Sequence, residues 1–149
     1  MAKVQLRKVI RVPIEKVVEY FGNPELYFSM HSSDDASFKI VSSRENEILV
    51  EEERDAGRRR LKTTHKTVLH LPHRIDSEVV SGPGQGSKST TTFESVSEGT
   101  KVTYTMDIKF GGMAGKVLGQ LGKKWIKKMM EDEMEAAAEK NRKYLEEGS

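Results

Sequence analysis

Apolar and polar residues alternate with a period of two at the start of the chain and again before its last third. In residues 4–12 the even positions are apolar, with Lys8 as the exception, which predicts a half-buried strand. The alternation is clearest in residues 100–110, where Val102, Tyr104 and Met106 point to one side. Short turns separate five further strand-like segments: 38–41, 47–55, 60–71, 73–80 and 87–96. Consecutive strands joined by short turns predict an antiparallel sheet.

Helical spacing of apolar residues occurs in two other regions. Pro13 precedes an apolar repeat in residues 14–21, and Pro24 can begin a second short helix. Residues 113–146 contain no proline and carry one apolar stripe, which predicts a long amphipathic helix. The stripe is Val117, Leu118, Leu121, Trp125 and Met129. A sheet followed by one such helix predicts a single α+β domain over residues 1–149, with the helix covering one sheet face.

Composition narrows the functional classes. The chain has 149 residues, with 25 Lys and Arg against 23 Asp and Glu, so its net charge of +2 argues against a nucleic-acid binder. The absence of cysteine excludes thiol nucleophiles and disulfides. No apolar run reaches the roughly 20 residues that span a bilayer, and no signal-peptide core is visible. We therefore expect a soluble, cytoplasmic protein.

Four short motifs resemble those of one known superfamily. Residues 9–21 (VIRVPIEKVVEYF) resemble its opening strand, proline and first helix, and Asn23-Pro24-Glu25-Leu26 resembles the D-P-E that begins its second helix. Residues 99–104 (GTKVTY) resemble the G-T-x-L-x-Y of its final strand. The superfamily is the START-related, birch-pollen-allergen-like helix-grip group, also called polyketide cyclase/dehydrase. Residues 111–122 (GGMAGKVLGQLG) are similar to the strand–helix junction of its carbon monoxide dehydrogenase-associated branch.

The resemblance implies a fold and a general activity. It implies a helix-grip fold, in which a curved antiparallel sheet of about seven strands wraps around the long C-terminal helix, with two short helices after the first strand. Such proteins usually bind a hydrophobic or amphipathic small molecule, such as a lipid, quinone or polyketide, as carriers or presenters. Two alternatives remain: a cyclase or dehydratase, and a membrane-docking accessory subunit of a redox enzyme. Periodicity leaves open whether the interior is a cavity, because a filled core produces the same stripe.

The odd-numbered face of residues 61–71 carries the most informative candidates. It mixes leucines with Thr63, His65 and Thr67, where a packed core would carry Val or Ile. A polar group buried without a partner costs about 1–3 kcal/mol. These side chains therefore either bond one another or line a wet cavity and orient a ligand. His65 is interpreted as a ligand contact, a general acid/base, or a histidine satisfied by its threonine neighbours.

We predict that one set of inward-facing residues forms the cavity wall, and we assign no catalytic residue, metal or cofactor. His70 and His73 flank Leu71-Pro72 but lack the three or four ligands that a metal site needs. The predicted wall consists of Phe28, Thr63, His65, Thr67, Ile75, Phe93, Tyr104, Met106, Leu121, Trp125 and Met129.

A basic cluster on the long helix suggests a second kind of partner. Lys123, Lys124 and Lys127 could contact an anionic membrane surface. The alternative is an ordinary solvated face, because the acidic residues from Glu131 onward can pair with these lysines along the helix. No nucleic-acid partner is expected, since no aromatic stacking platform lies outside the inward faces. The sequence does not indicate the oligomeric state.

Overall fold

The computed structural model describes residues 2–56, 59–109 and 112–148. The chain order is one strand, two short helices, six strands and one long helix. The elements are β1 (Ala2–Ile10), α1 (Ile14–Phe21), α2 (Pro24–His31), β2 (Ala36–Arg44), β3 (Glu47–Ala56), β4 (Arg59–His70), β5 (Arg74–Ser81), β6 (Lys88–Val96), β7 (Gly99–Ile108) and α3 (Gly112–Glu147). All predicted elements are present, although the predicted end of β7 at Phe110 lies outside the described residues.

The strands form one curved antiparallel sheet in the order β1-β7-β6-β5-β4-β3-β2. Strands β2 to β7 follow one another as neighbours, and β1 pairs with β7. Helices α1 and α2 connect β1 at one edge of the sheet to β2 at the other. Together with α3, this arrangement is the helix-grip fold that the family resemblance implied.

Lys8, the polar residue among the apolar positions of β1, forms ion pairs that connect the sheet to α3. Val4 and Ile10 are buried, as their alternation predicts, and Lys8 lies on the same face. Its Nζ is 2.9 Å from the Glu135 carboxylate and 3.4 Å from that of Glu139, both on α3. The amide of Arg11 donates to the Glu146 carboxylate at 2.9 Å. Lys8 therefore interrupts the apolar pattern of β1 at the point where the strand meets the helix.

The short helices begin where their prolines indicate. Pro13 lies immediately before α1, and Pro24 occupies the first turn of α2. The Asn23 side chain caps α2 by accepting from the Leu26 amide at 3.3 Å. Within the described residues, none of the helices combines the length and apolar character needed to span a membrane.

The packed core occupies one end of the inner sheet face. It joins residues of α1, β1, β6, β7 and the C-terminal half of α3. Thr100 is buried there, and its hydroxyl donates to the Val12 carbonyl at 2.8 Å. The fully buried members Ile10, Val17, Val102 and Ala138 mark its centre. The rest of the inner face, over β2 to β5 and parts of β6 and β7, lies outside this core.

Candidate ligand-binding cavity

A cavity of about 350 Å³ lies between the inner sheet face, α2 and the C-terminal half of α3. Residues from α2, from β2 to β7 and from α3 line it. Its apolar wall includes Phe28, Phe38, Ile48, Met130 and Met134. Sequence periodicity left open a filled core or a cavity, and the structure has both, side by side on one face.

A row of hydroxyl side chains crosses the floor of the cavity. Thr67 lies opposite Ser77, and Ser77 lies opposite Ser89, on the adjacent strands β4, β5 and β6. The Thr67 and Ser77 hydroxyl oxygens are 3.2 Å apart, so these two groups satisfy one another. Ser89 makes no side-chain hydrogen bond within the described part of the chain. The sequence allowed these polar groups either to bond one another or to line a cavity. Thr67 does bond a neighbour, and the row as a whole lines the cavity.

A fully buried asparagine organises one end of the cavity. Asn141 of α3 is 0% exposed, and its Oδ1 accepts from the Tyr20 hydroxyl at 2.7 Å. The same oxygen lies 2.7 Å from His31 Nε2, and its Nδ2 donates to the Tyr104 hydroxyl at 3.2 Å. We call Asn141, Tyr20, His31 and Tyr104 the asparagine cluster. Its members come from α1, α2, β7 and α3, so it joins four elements around one amide.

Burial keeps the asparagine cluster uncharged. It lowers the pKa of His31, an effect that the hydrogen bond to Asn141 only partly opposes. Burial also raises the pKa of Tyr20 and of Tyr104 well above the usual range. The imidazole of His31 packs against the Tyr27 ring, with centroids 4.5 Å apart and planes tilted by 38°. This end of the cavity therefore presents neutral hydrogen-bonding groups and aromatic faces.

Charged groups form the other polar end of the cavity. Arg54 of β3 donates to Glu52 at 2.9 Å and to Glu133 of α3 at 2.6 Å. His65 Nε2 lies 3.3 Å from Glu52. We call Glu52, Arg54, His65 and Glu133 the arginine cluster. Burial would raise the pKa of Glu52, but hydrogen bonds from His65 and Arg54 and their charges hold it below the usual range.

Six of the predicted wall residues line the cavity: Phe28, His65, Thr67, Ile75, Tyr104 and Met106. Thr63, which lies opposite Glu52 and one row beyond His65, does not line it. Phe93 is buried in the core instead, 5.1 Å from the Phe21 ring. The side chain of Leu121 lies outside the described residues.

The predicted wall positions of Trp125 and Met129 are wrong. Trp125 is 66% exposed and lines a shallow surface depression together with Met129. Each residue of an α-helix turns about 100°. Trp125 precedes the inward-facing Met130 by five residues and Met129 precedes it by one, so they lie about 140° and about 100° around the helix from it. The residues that face inward, Met130, Met134, Ala137 and Asn141, are spaced by four, three and four, which keeps them on one face.

Sequence reasoning missed both polar clusters, although signals for them exist. Ile48 and Val50 establish an even-numbered inner face on β3, and the same alternation places Glu52 and Arg54 on it. Their charges made this stretch resemble a solvated acidic run. Asn141 was overlooked because it is a polar residue at an apolar position of the helix.

Two lysines of the basic face of α3 form ion pairs with acidic residues of the same helix. Lys127 is 3.9 Å from Glu131, and Lys128 is 2.9 Å from Asp132, as expected for a solvated face with pairs four residues apart. Lys124 and Trp125 are exposed beside them. Membrane contact by this face stays a prediction. Among the described residues, no group of three His, Asp or Glu side chains is placed to hold a metal ion.

The fold is a helix-grip fold with an internal cavity, and sequence comparison gives its family. Residues 1–146 match the family described as polyketide cyclase/dehydrase and lipid transport. The chain belongs to this family, as its motifs indicated. No curated protein matches the chain in sequence. The resemblance to the carbon monoxide dehydrogenase-associated branch stays a prediction.

Solved structures share the fold at low sequence identity. The protein TTHA0849 from Thermus thermophilus has a TM-score of 0.83 at 17% identity, with 99% of each chain covered. The Zhui aromatase/cyclase from Streptomyces sp. R1128 has a TM-score of 0.67 at 14% identity, covering 97% of this chain and 90% of that one. Ara h 8.0201 has a TM-score of 0.68 at 14% identity, with 97% of each chain covered. At these identities the likeness establishes the fold alone.

Proposed function

We propose that the protein binds a hydrophobic or amphipathic small molecule in this cavity and carries or presents it. The cavity itself is the observation that carries the proposal. Its volume of about 350 Å³ lies within the range of roughly 300–1,000 Å³ of small-molecule sites. Its lining combines an apolar majority with a few converging polar groups, which is the usual composition of such sites.

The apolar wall would hold the body of the ligand. The rings of Phe28 and Phe38 pack against one another on this wall, with centroids 5.2 Å apart and planes tilted by 32°. Met130 and Met134 face the same space from α3. Methionine side chains are unbranched and adapt to irregular shapes, so this wall suits a molecule of loosely defined outline. The hydroxyl row and the asparagine cluster would then orient polar atoms of the ligand.

The proposal is tested with Nile red, an uncharged dye that fluoresces in apolar surroundings. Ala137 lines the cavity, whereas Ala136 is exposed and lines the surface depression beside Trp125. Ala137→Phe should fill the cavity and weaken dye binding by at least about tenfold, a loss of about 1.4 kcal/mol. Ala136→Phe adds the same ring outside the cavity and should leave binding unchanged. Equal binding by the two variants, or no binding by the wild type, would overturn the proposal.

A second candidate function is a cyclase or dehydratase reaction that uses His65. The observation favouring it is the His65–Glu52 contact of 3.3 Å, because a carboxylate that orients an imidazole is a common acid–base arrangement. His65 also faces the cavity. With a polyketide-like substrate, His65→Gln should abolish turnover while retaining Nile red binding. If His65→Gln loses neither turnover nor dye binding, or if the wild type forms no product, this second function is wrong and only the carrier function remains.

A further inference from the structure

The charged residues of the cavity are distributed unevenly. Among the described residues that line it, Arg54 is the only one with a permanent positive charge. Its guanidinium is already shared between two carboxylates, those of Glu52 and Glu133. His65 contacts Glu52 as well. Two carboxylates thus face one guanidinium, and the arginine cluster has no surplus positive charge whether or not His65 carries a proton.

The other polar groups of the cavity are neutral. His31 and Tyr104 are held in their uncharged forms by burial. The Tyr104 hydroxyl accepts from Asn141 and keeps its own proton, which it can donate to a ligand atom. Ser89 and Thr91 line the cavity without a side-chain hydrogen bond within the described part of the chain. Hydroxyl groups both donate and accept, so they match alcohol, amide and ketone groups equally well.

We infer that the cavity selects uncharged molecules with hydrogen-bonding oxygen or nitrogen atoms and rejects carboxylates of the same skeleton. A carboxylate that enters loses its hydration and meets an arginine cluster whose cation is already neutralised. An amide or hydroxyl loses less hydration and finds free hydroxyl partners. This inference rests on the proposed function and narrows it to a class of ligand.

The test compares probes that differ only in charge. 2-Naphthamide and 2-naphthoate have the same shape, and 1-dodecanol and dodecanoate form a second pair with a flexible chain. Each is titrated against protein-bound Nile red at neutral pH. In at least one pair the uncharged member should displace the dye. Its affinity should exceed that of its carboxylate by at least about tenfold, which corresponds to about 1.4 kcal/mol. Equal affinity, tighter carboxylate binding, or failure of every probe to displace the dye would overturn the inference.

A charge variant assigns the discrimination to the arginine cluster. Glu133→Gln removes one of the two carboxylates on Arg54, so carboxylate affinity should rise several-fold relative to amide affinity. Glu135→Gln is the matched control, because Glu135 pairs with Lys8 and does not line the cavity. If the ratio of carboxylate to amide affinity is the same in Glu133→Gln as in the wild type, the arginine cluster is not the source of the discrimination. If Nile red itself does not bind the wild type, the proposed function fails. If the dye binds but an uncharged probe and its carboxylate have equal affinity, only the selectivity fails.

Discussion

The two polar ends of the cavity differ in how they are built. The asparagine cluster is neutral, buried and centred on one amide that joins four elements. The arginine cluster is charged, and its bridge between sheet and helix is partly open, with Arg54 43% and Glu133 40% exposed at the side chain. A buried amide loses much when a partner is removed, whereas an exposed ion pair contributes little. The first end should therefore determine stability and the second the choice of ligand.

The largest effect is expected from Asn141→Leu. The substitution leaves the hydroxyls of Tyr20 and Tyr104 and the His31 ring without their buried partner. Each such group costs about 1–3 kcal/mol, so the free energy of unfolding should fall by about 3 kcal/mol. Urea denaturation measures the loss. Lys143→Leu, at an exposed position two residues along the same helix, should change it by less than about 0.5 kcal/mol.

A loss below about 1 kcal/mol in Asn141→Leu would contradict the comparison, because it would mean that the asparagine cluster is no more costly to break than a surface contact.

The second-largest effect is a pH dependence of the free energy of unfolding that originates in the asparagine cluster. The folded-state pKa of His31 lies below its ordinary value of 6.5, so the unfolded chain binds a proton more readily. His31 therefore contributes stability above that value, and this stability is lost as the pH falls toward the lowered pKa. His31→Gln has no titrating ring but can still donate to Asn141. From about pH 7 to about pH 5, wild type should lose more unfolding free energy than His31→Gln.

The Glu52 carboxylate, whose pKa lies below the usual 4.5, should add its own loss only at more acidic pH. Parallel pH profiles for wild type and His31→Gln would show that the ring is not held neutral by burial.

A smaller effect is expected at the arginine cluster. Glu133→Gln weakens the bridge between β3 and α3 at partly exposed side chains. The free energy of unfolding should fall by less than about 1 kcal/mol, as for other exposed ion pairs. The measurement is urea denaturation beside Asn141→Leu. A loss as large as that of Asn141→Leu would erase the distinction between the two ends.

The smallest effect on stability is expected on the outer face of α3, which belongs to neither end. Trp125 is 66% exposed, so Trp125→Ala should change the unfolding free energy by less than about 0.5 kcal/mol.

The same substitution tests the predicted membrane contact. Trp side chains favour the membrane interface, and Lys124 lies beside Trp125. If this face contacts membranes, the substitution should reduce co-sedimentation with anionic vesicles at low salt. Wild type that does not co-sediment would end the membrane prediction.

Much of the fold could be predicted because alternation and helical spacing are local. The alternation around Lys8 located β1, and the two prolines located α1 and α2. The cavity wall was harder to predict, since it depends on which helix face meets the sheet. The apolar stripe through Trp125 follows hydrophobicity, while the inward face includes Ala137 and Asn141, which hydrophobicity does not mark.

The polar clusters could not be predicted for a different reason. Arg54 and Glu133 are 79 residues apart in sequence, and Tyr20 and Asn141 are 121 apart. Their pairing depends on how α3 lies across the sheet. His65 lines the cavity, but its partner Glu52 comes from the neighbouring strand, and the register that joins the two strands is not visible in either segment alone.

The central claim is that the space between α3 and the sheet admits a small molecule. The most direct measurement is a crystal structure of the protein soaked with a bromine-labelled 2-naphthamide, in which anomalous scattering locates the bromine. A bromine peak is expected inside the cavity, in contact with Ile75, Met130 and Ala137. An interior filled by the protein's own side chains, with the label only on the outer surface, would contradict it.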